Sequence, residues 1–245
     1  MEEHGEVRHR RLPHWDLPGA TYFITSCLYG SIPASGLLDL AQFRSKLEAM
    51  RRPASVPTEQ WTIDCWKRTF ARCDDWLDRR PAVRHFSDPV LALIAANACR
   101  YWAGRRYDLL AYVVMPSHIH WVFRPYDLGQ IDVGQVGNLP QRDVGQVANL
   151  PSSRSPRSRI MHTFKLYTAR QCNRLLSRRG AFWQNESYDH CVRDDEELER
   201  IIHYVEQNPV HAGLVRAAEE WEFSSARDRL AWGIPVGRPL IPPVA

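Results

Sequence analysis

Two histidines two residues apart, His118 and His120, stand in an otherwise apolar, β-prone stretch from Val113 to Phe123. Side chains alternate faces along a strand, so His118, His120 and Val122 share one face while Ile119, Trp121 and Phe123 take the other. Neutral imidazole is the commonest protein metal ligand, and two at this spacing can chelate one ion. A cross-strand polar pair on a solvated sheet face would have the same spacing. A second pair adds to the first. Tyr204 and Asn208 are four residues apart, which on a helix stacks a phenol one turn from an amide oxygen. With the histidines they would make a metal site beside a nucleophile. Taken singly, Tyr204 also fits a half-buried aromatic at a stripe edge, and Asn208 a turn residue before Pro209.

These residues need a strand and a helix to present them. Tyr107 to Met115 and His118 to Phe123 read as two strands joined at Pro116-Ser117. Asp194 with Glu197 resembles a capping box, and the acidic first turn suits the helix dipole. Leu198, Ile201, Ile202 and Val205 recur at helical spacing, and Pro209 is expected to stop that helix. Upstream, Thr21 to Leu28 reads as a buried strand, Leu37 to Arg52 as a helix, and Asp88-Pro89 as the start of a helix running to about Gly104. Residues 59–80 carry Trp61, Trp66, Phe70, Trp76 and Leu77 among many charges and read as a helical insertion packing aromatics on the main body. A basic amphipathic helix is expected near 164–178, followed by an extended segment from Phe182 to Arg193. The order predicts an α+β fold, with helices on one face of an antiparallel sheet.

On these motifs the chain resembles the HUH single-strand transposases with one catalytic tyrosine, and within them the REP-associated tyrosine transposases. The resemblance runs through Tyr107 to His120, Phe164 to Ala169, Phe182 to Arg193 and Tyr204 to Gly213, and Gly19 to Thr25 fits the family's first strand. It covers most of the chain. It departs at Ser117, where the family would have Asn, and at two inserted stretches. The resemblance implies an IS200-like, ferredoxin-like antiparallel sheet with the histidines on a central strand. It also implies a 5′-phosphotyrosine, a free 3′-OH and a single-stranded DNA substrate near palindromic hairpins.

In chemical terms, Tyr204 is the expected nucleophile, and His118, His120 and Asn208 the expected ligands. Imidazole plus amide oxygen suits Mg²⁺ or Mn²⁺, Mn²⁺ the better, which would polarise a phosphate oxygen and orient it for in-line attack. Attack by a tyrosine oxygen leaves a covalent intermediate that a second DNA end can reverse. Tyr188 and His190 are expected to support the ligands from behind, although His190 also reads as a satisfied core histidine. Lys165, Arg170, Arg174, Arg10 and Arg11 are the expected DNA contacts. Trp183 reads as a buried core residue that could instead stack a base. Two other readings remain: a metal-dependent hydrolase in which water attacks, and a non-catalytic protein that binds hairpins without cutting.

Composition sets the frame. At 245 residues and 44% hydrophobic, the chain is long enough for one domain with a proper core. That domain is expected over 8–230, with insertions near 53–85 and 127–157 and a Pro-rich tail at 231–245. No stretch approaches the roughly 18 apolar residues of a membrane helix, and the N-terminus has no apolar run of a signal peptide. The six cysteines form no C-x-x-C pair, so reduced thiols in a cytoplasm are expected. As a DNA-binding chain it is expected to be nucleoid-associated, as a monomer or homodimer. Net charge is only +4, but Arg124 to Arg179 holds ten Lys or Arg against three Asp, which fits a phosphate-rich ligand. Within it, a unit beginning Asp132-Val-Gly-Gln-Val recurs from Asp143; two copies are too few for a solenoid, and a coreless insertion is expected.

Overall fold

The computed structural model describes residues 6–9, 13–17, 19–79, 81–126, 155–185 and 187–241. Arg10, Arg11 and the repeat at 132–151 lie outside the described residues. A short antiparallel pair, β1 (Glu6–His9) and β2 (Pro13–Asp16), precedes the main sheet. That sheet is built from β3 (Tyr22–Cys27), β4 (Tyr107–Val114), β5 (His118–Pro125) and β6 (Tyr188–Cys191) in the order β4-β5-β3-β6, every pairing antiparallel. The helices are α1 (Ala34–Ala49), α2 (Thr58–Arg79), α3 (Pro89–Tyr101), α4 (Pro156–Leu175), α5 (Asp195–His211) and α6 (Ser225–Trp232). Leaving out α1 and α2, the run β3-α3-β4-β5-α4-β6 with its central β5 and β3 is the strand order of a ferredoxin-like sheet. The two histidines are on a central strand, as expected.

The helices divide between the two faces. The crossover helices α3 and α4 bring Leu91, Ala95, Cys99, Ile160 and Phe164 onto Ile24, Leu109, Ile119, Trp121 and Phe123. On the other face, α5 sets Leu198, Ile202 and Val205 against Phe23, Ala111, Val113 and Val122. The expectation of helices on one face therefore holds for the crossover pair but not for α5, because helical periodicity says that a stripe is buried, not against which face. A register shift between Leu109 and Ala111 matters here. It leaves Leu110 as an extra residue, so Leu109 and Tyr112 both join the α3/α4 face although strict alternation would separate them.

Each site-bearing element has a local cause. Asp194 caps α5, its carboxylate accepting from the Glu197 N–H at 2.7 Å. The helix passes through Pro209 and ends two residues later. Gly213 takes φ +69, its N–H meets the Val210 carbonyl, and the Leu214 N–H meets that of Pro209. This glycine C-cap, rather than the proline expected from the sequence, ends the helix, since a proline in the last turn forfeits only one backbone bond. Helix α2 packs closely on α1: a Cβ on Gly36 would lie 2.9 Å from Ile32 and Trp76 side-chain atoms, so only glycine fits. Asp39 on α1 pins the same turn, accepting from Arg72 and from Trp76 Nε1. Beyond α6 the Pro-rich stretch packs on the sheet edge as far as Leu240, which is fully buried and donates its N–H to the Leu109 carbonyl.

Candidate metal and tyrosine site

His118 and His120 project from β5 into a buried space between the sheet, α2 and α5. The register pairs Cys27 with His118 and Thr25 with His120, and both imidazoles are fully buried. Their Nε2 atoms lie 3.0 Å apart. A hydroxyl stands behind each ring. Ser117 Oγ donates to the Leu77 carbonyl at 3.0 Å and lies 2.9 Å from His118 Nδ1. A hydroxyl has one proton, so Ser117 must accept from His118 Nδ1–H, which leaves the Nε2 lone pair free. Thr25 Oγ1 stands 2.7 Å from His120 Nδ1 and can hold it the same way. Hydroxyl-oriented imidazoles of this kind are what a metal site requires.

Helix α5 brings the expected partners. Tyr204 lies with its ring centroid 5.6 Å from that of His120 and packs edge-on to Phe23 and Phe70. Asn208, one turn on and buried, places Nδ2 3.3 Å from His120 Nε2, while its Oδ1 has no hydrogen-bond partner. A half-turn of the amide would present that oxygen to the histidines.

Two acidic residues complete the cluster, and sequence reasoning missed both. Along α2 the residues Trp66, Phe70, Asp74 and Asp78 follow one another at intervals of four and so form one stripe. Its aromatic half stacks on β6, with the Phe70 and Tyr188 centroids 4.0 Å apart. Its acidic half meets the histidines. Asp74 Oδ1 is 3.3 Å from His120 Nε2 and 3.8 Å from His118 Nε2, and Asp78 Oδ1 is 3.8 Å from His118 Nε2. Tyr204 donates its hydroxyl proton to Asp74 Oδ2. The Oδ1 atoms of Asp74, Asp78 and Asn208 are all buried without a hydrogen-bond partner. Buried oxygens left unpaired are costly unless a cation or proton satisfies them. Asp74, His118 and His120 form the group with metal-binding geometry among the described residues, their ligand atoms all within 4.8 Å of one another. The donor set, two imidazoles and carboxylate and amide oxygens, suits Mg²⁺ or Mn²⁺.

For His118 and Asp74 the surroundings favour the states that ligation needs. Burial, then the neighbouring His120 charge, pushes His118 down to about 3, so its imidazole is neutral. Burial alone would raise Asp74, but the neighbouring His120, with the Tyr204 hydroxyl on the other oxygen, outweighs it and holds the carboxyl at about 2. Asp78 is pushed up to about 7 by burial and by the Asp74 charge. Burial, followed by the charge and hydrogen bond of Asp74, holds the Tyr204 phenol well above its ordinary range.

The remaining expected residues fall elsewhere. Tyr188 shares the site face but is separated from the histidines by Phe70 and Phe23. His190 lies opposite Phe23, with Nε2 3.2 Å from Glu197 Oε1. It belongs to an ion cluster in which Lys67 and Arg193 also hold Glu197. Lys165 donates to the Gln184 carbonyl at 3.1 Å, and Trp183 is buried, with Nε1 donating to Thr168. Arg170 and Arg174 are exposed on α4, the helix covering the opposite face of the sheet. From Pro156 to Phe182 the chain has seven Lys or Arg and no acid, so that side is basic. No helix among the described residues is long and apolar enough to cross a membrane, and all six cysteines are unpaired.

Over 53 residues the chain is 36% identical to a putative REP-associated tyrosine transposase of Haemophilus influenzae; the match spans 22% of this chain and 30% of that relative. A solved structure of a REP-associated tyrosine transposase bound to a REP hairpin aligns over 94% of this chain and 88% of its own, at 17% identity and a TM-score of 0.43. No family model matches the chain. The sequence relative carries the family name that the motifs suggest.

Proposed function

We propose that this chain is a single-tyrosine HUH transposase of the REP-associated kind, which cleaves and rejoins single-stranded DNA beside hairpins. One observation carries the reading: the Tyr204 hydroxyl, the two Nε2 atoms and the Asn208 amide, from elements more than 80 residues apart in the chain, converge in one buried cluster. Similarity to a transposase over 53 residues supports the family assignment.

In this reading His118, His120 and Asn208 hold a divalent ion, Mn²⁺ or Mg²⁺. When bound, it supplies positive charge to a phosphate oxygen and fixes the direction of attack. Tyr204 Oη bonds to phosphorus as the bond from phosphorus to the 3′ oxygen breaks. The tyrosine loses one proton and the departing 3′ oxygen gains one. The product is a 5′-phosphotyrosine and a free 3′-OH, and a second 3′-OH reverses the step without external energy. Ser117 and Thr25 hold the imidazoles in register. Arg170, Arg174 and Lys165, together with Arg10 and Arg11, track phosphates electrostatically, which fits a hairpin stem on the basic α4 side. Tyr188 and His190 support the aromatic wall and the N-terminal turn of α5. A cytoplasmic setting follows from a DNA substrate.

The test is labelled single-stranded DNA carrying a hairpin, incubated with Mn²⁺ and run on a denaturing gel. The expected result is a covalent adduct that maps to Tyr204, disappears in Tyr204→Phe, and is poor with fully paired duplex. An adduct that persists in Tyr204→Phe moves the assignment to Tyr188. Cleavage with no adduct at all identifies a hydrolase, and hairpin binding without cleavage a non-catalytic binder.

A further inference from the structure

Helix α2 belongs to a stretch that reads as an insertion, yet it places a carboxylate between the histidines and the tyrosine. Asp74 is only 6% exposed, and its two oxygens face different partners. Oδ2 accepts from Tyr204, while Oδ1 has no hydrogen-bond partner and faces both imidazoles. Ligand atoms about 2.1 Å from one ion and at right angles lie about 3.0 Å apart. The separations here, 3.0 Å between the Nε2 atoms and 3.3 and 3.8 Å from them to Asp74 Oδ1, have the size of the edges of one coordination polyhedron. With Ser117 fixing the His118 proton on Nδ1, the two Nε2 atoms need a cation or proton between them, and Asp74 Oδ1 lies where it would share that cation.

We propose that Asp74 is a bridging residue, one carboxylate oxygen a metal ligand and the other the acceptor that aims the Tyr204 hydroxyl. It rests on the function proposed above and adds a residue to it: a ligand from α2, acting on the nucleophile as a positioning group. The nucleophile and the ion are then tied at a fixed separation by a single carboxylate. Helix α2 holds that carboxylate in place through Leu77, whose carbonyl accepts from Ser117, and through Lys67, paired with Glu197 on α5 at 3.0 Å. The insertion is thus part of the site and not an ornament on it.

The experiment is a titration of the DNA-free full chain with Mn²⁺, read by the electron paramagnetic resonance of free Mn²⁺, with circular dichroism to verify folding. Asp74→Asn keeps the shape and removes the charge; its affinity should fall about 10-fold or more, the scale seen when metal-site partners are altered. Asp75→Asn removes the same charge from the exposed neighbouring position and should leave affinity within about twofold. Asp74→Glu, which restores the charge on a longer arm, should recover most of the affinity. At saturating Mn²⁺ it should still form adduct more slowly, because the bridge to Tyr204 is displaced. Unchanged Mn²⁺ affinity in folded Asp74→Asn overturns the proposal. If that variant fails to fold, wild-type adduct rate and affinity in Asp74→Glu overturn it instead. The two readings fail separately. Asp74-dependent Mn²⁺ binding without any DNA adduct leaves the ligand standing and removes the transposase. An adduct with Asp74-independent binding does the reverse.

Discussion

The two faces of the sheet are built from alternate residues of the same strands, and they differ in kind. On β5, Ile119, Trp121 and Phe123 enter a face closed by α3 and α4, where rings pack on rings: the Trp121 centroid is 4.5 Å from that of Phe123 and 5.0 Å from that of Phe164. The intervening His118 and His120 enter a face where α2 and α5 bring acids, an amide and a phenol. The first face contributes mostly apolar burial and forgives no loss of volume. The second concentrates buried polar atoms without partners, which is a cost in stability that a binding site accepts. A strand with two-residue periodicity thus carries a core on one side and a buried polar cluster on the other, and a one-residue slip of register would exchange them.

The largest effect tests this division directly. Trp121→Ala should destabilise the fold by about 3–5 kcal/mol, measured by urea unfolding, because a large fully buried side chain leaves a cavity. The remaining folded protein should keep its Mn²⁺ affinity. A loss of Mn²⁺ affinity with little loss of stability would mean that the faces are not separable as described.

Next comes the converse on the opposite face. Thr25→Val removes the oxygen behind His120 Nδ1 and keeps a β-branched shape. Mn²⁺ affinity should fall about 10-fold, within the 10–100-fold usual for partners of ligating histidines, while the urea midpoint shifts far less than for Trp121→Ala. An unaltered affinity would show that Thr25 does not orient the ring.

The ion cluster at the start of α5 gives a pH signature from groups outside the proposed ligand set. Burial would raise the Glu197 carboxyl, but hydrogen bonds from Arg193 and Lys67 outweigh it and hold the group well below its ordinary 4.5. A depressed folded value means stability that is present above 4.5 and is lost as pH falls through the folded value. The urea midpoint of the wild type should therefore drop between pH 5 and pH 3 more steeply than that of Glu197→Gln, which cannot titrate there. Parallel curves would mean that the cluster contributes nothing.

How much of this could be read from the sequence depended on separation along the chain. The alternation that puts His118 with His120 is local, as is the helical turn between Tyr204 and Asn208, and both were legible. The element order gave an antiparallel sheet with helices, while its ferredoxin-like form was an implication of the family resemblance. Asp74 was not legible, because its partner Tyr204 is 130 residues away and because acids on a charge-rich helix usually face solvent. The available signal was the interval of four that continues Trp66 and Phe70 into Asp74 and Asp78. Reading the aromatics as a packing stripe without extending it to the acids lost the residue. The end of α5 was misplaced for a related reason: Pro209 draws attention as a breaker, while the left-handed Gly213 does the capping.

The smallest effect concerns Ser117, the position at which this chain departs from the pattern of the family it resembles. Its hydroxyl gives its one proton to Leu77 and receives one from His118, so it joins α2 to the histidine strand and fixes the tautomer together. An asparagine has an amide oxygen to accept from Nδ1–H and an amide nitrogen to donate to the Leu77 carbonyl, so it can make the same two bonds. Ser117→Asn should leave Mn²⁺ affinity within about threefold. What it adds is volume at a fully buried position, for which overpacking commonly costs about 1–3 kcal/mol. Ser117→Ala separates the two functions of the hydroxyl from its size. It leaves His118 Nδ1–H without an acceptor and the ring free to reprotonate, so affinity should fall about 10-fold. If Asn and Ala lower the affinity equally, the departure at this position reflects packing alone, and the tautomer of His118 is set by the cluster in front of it.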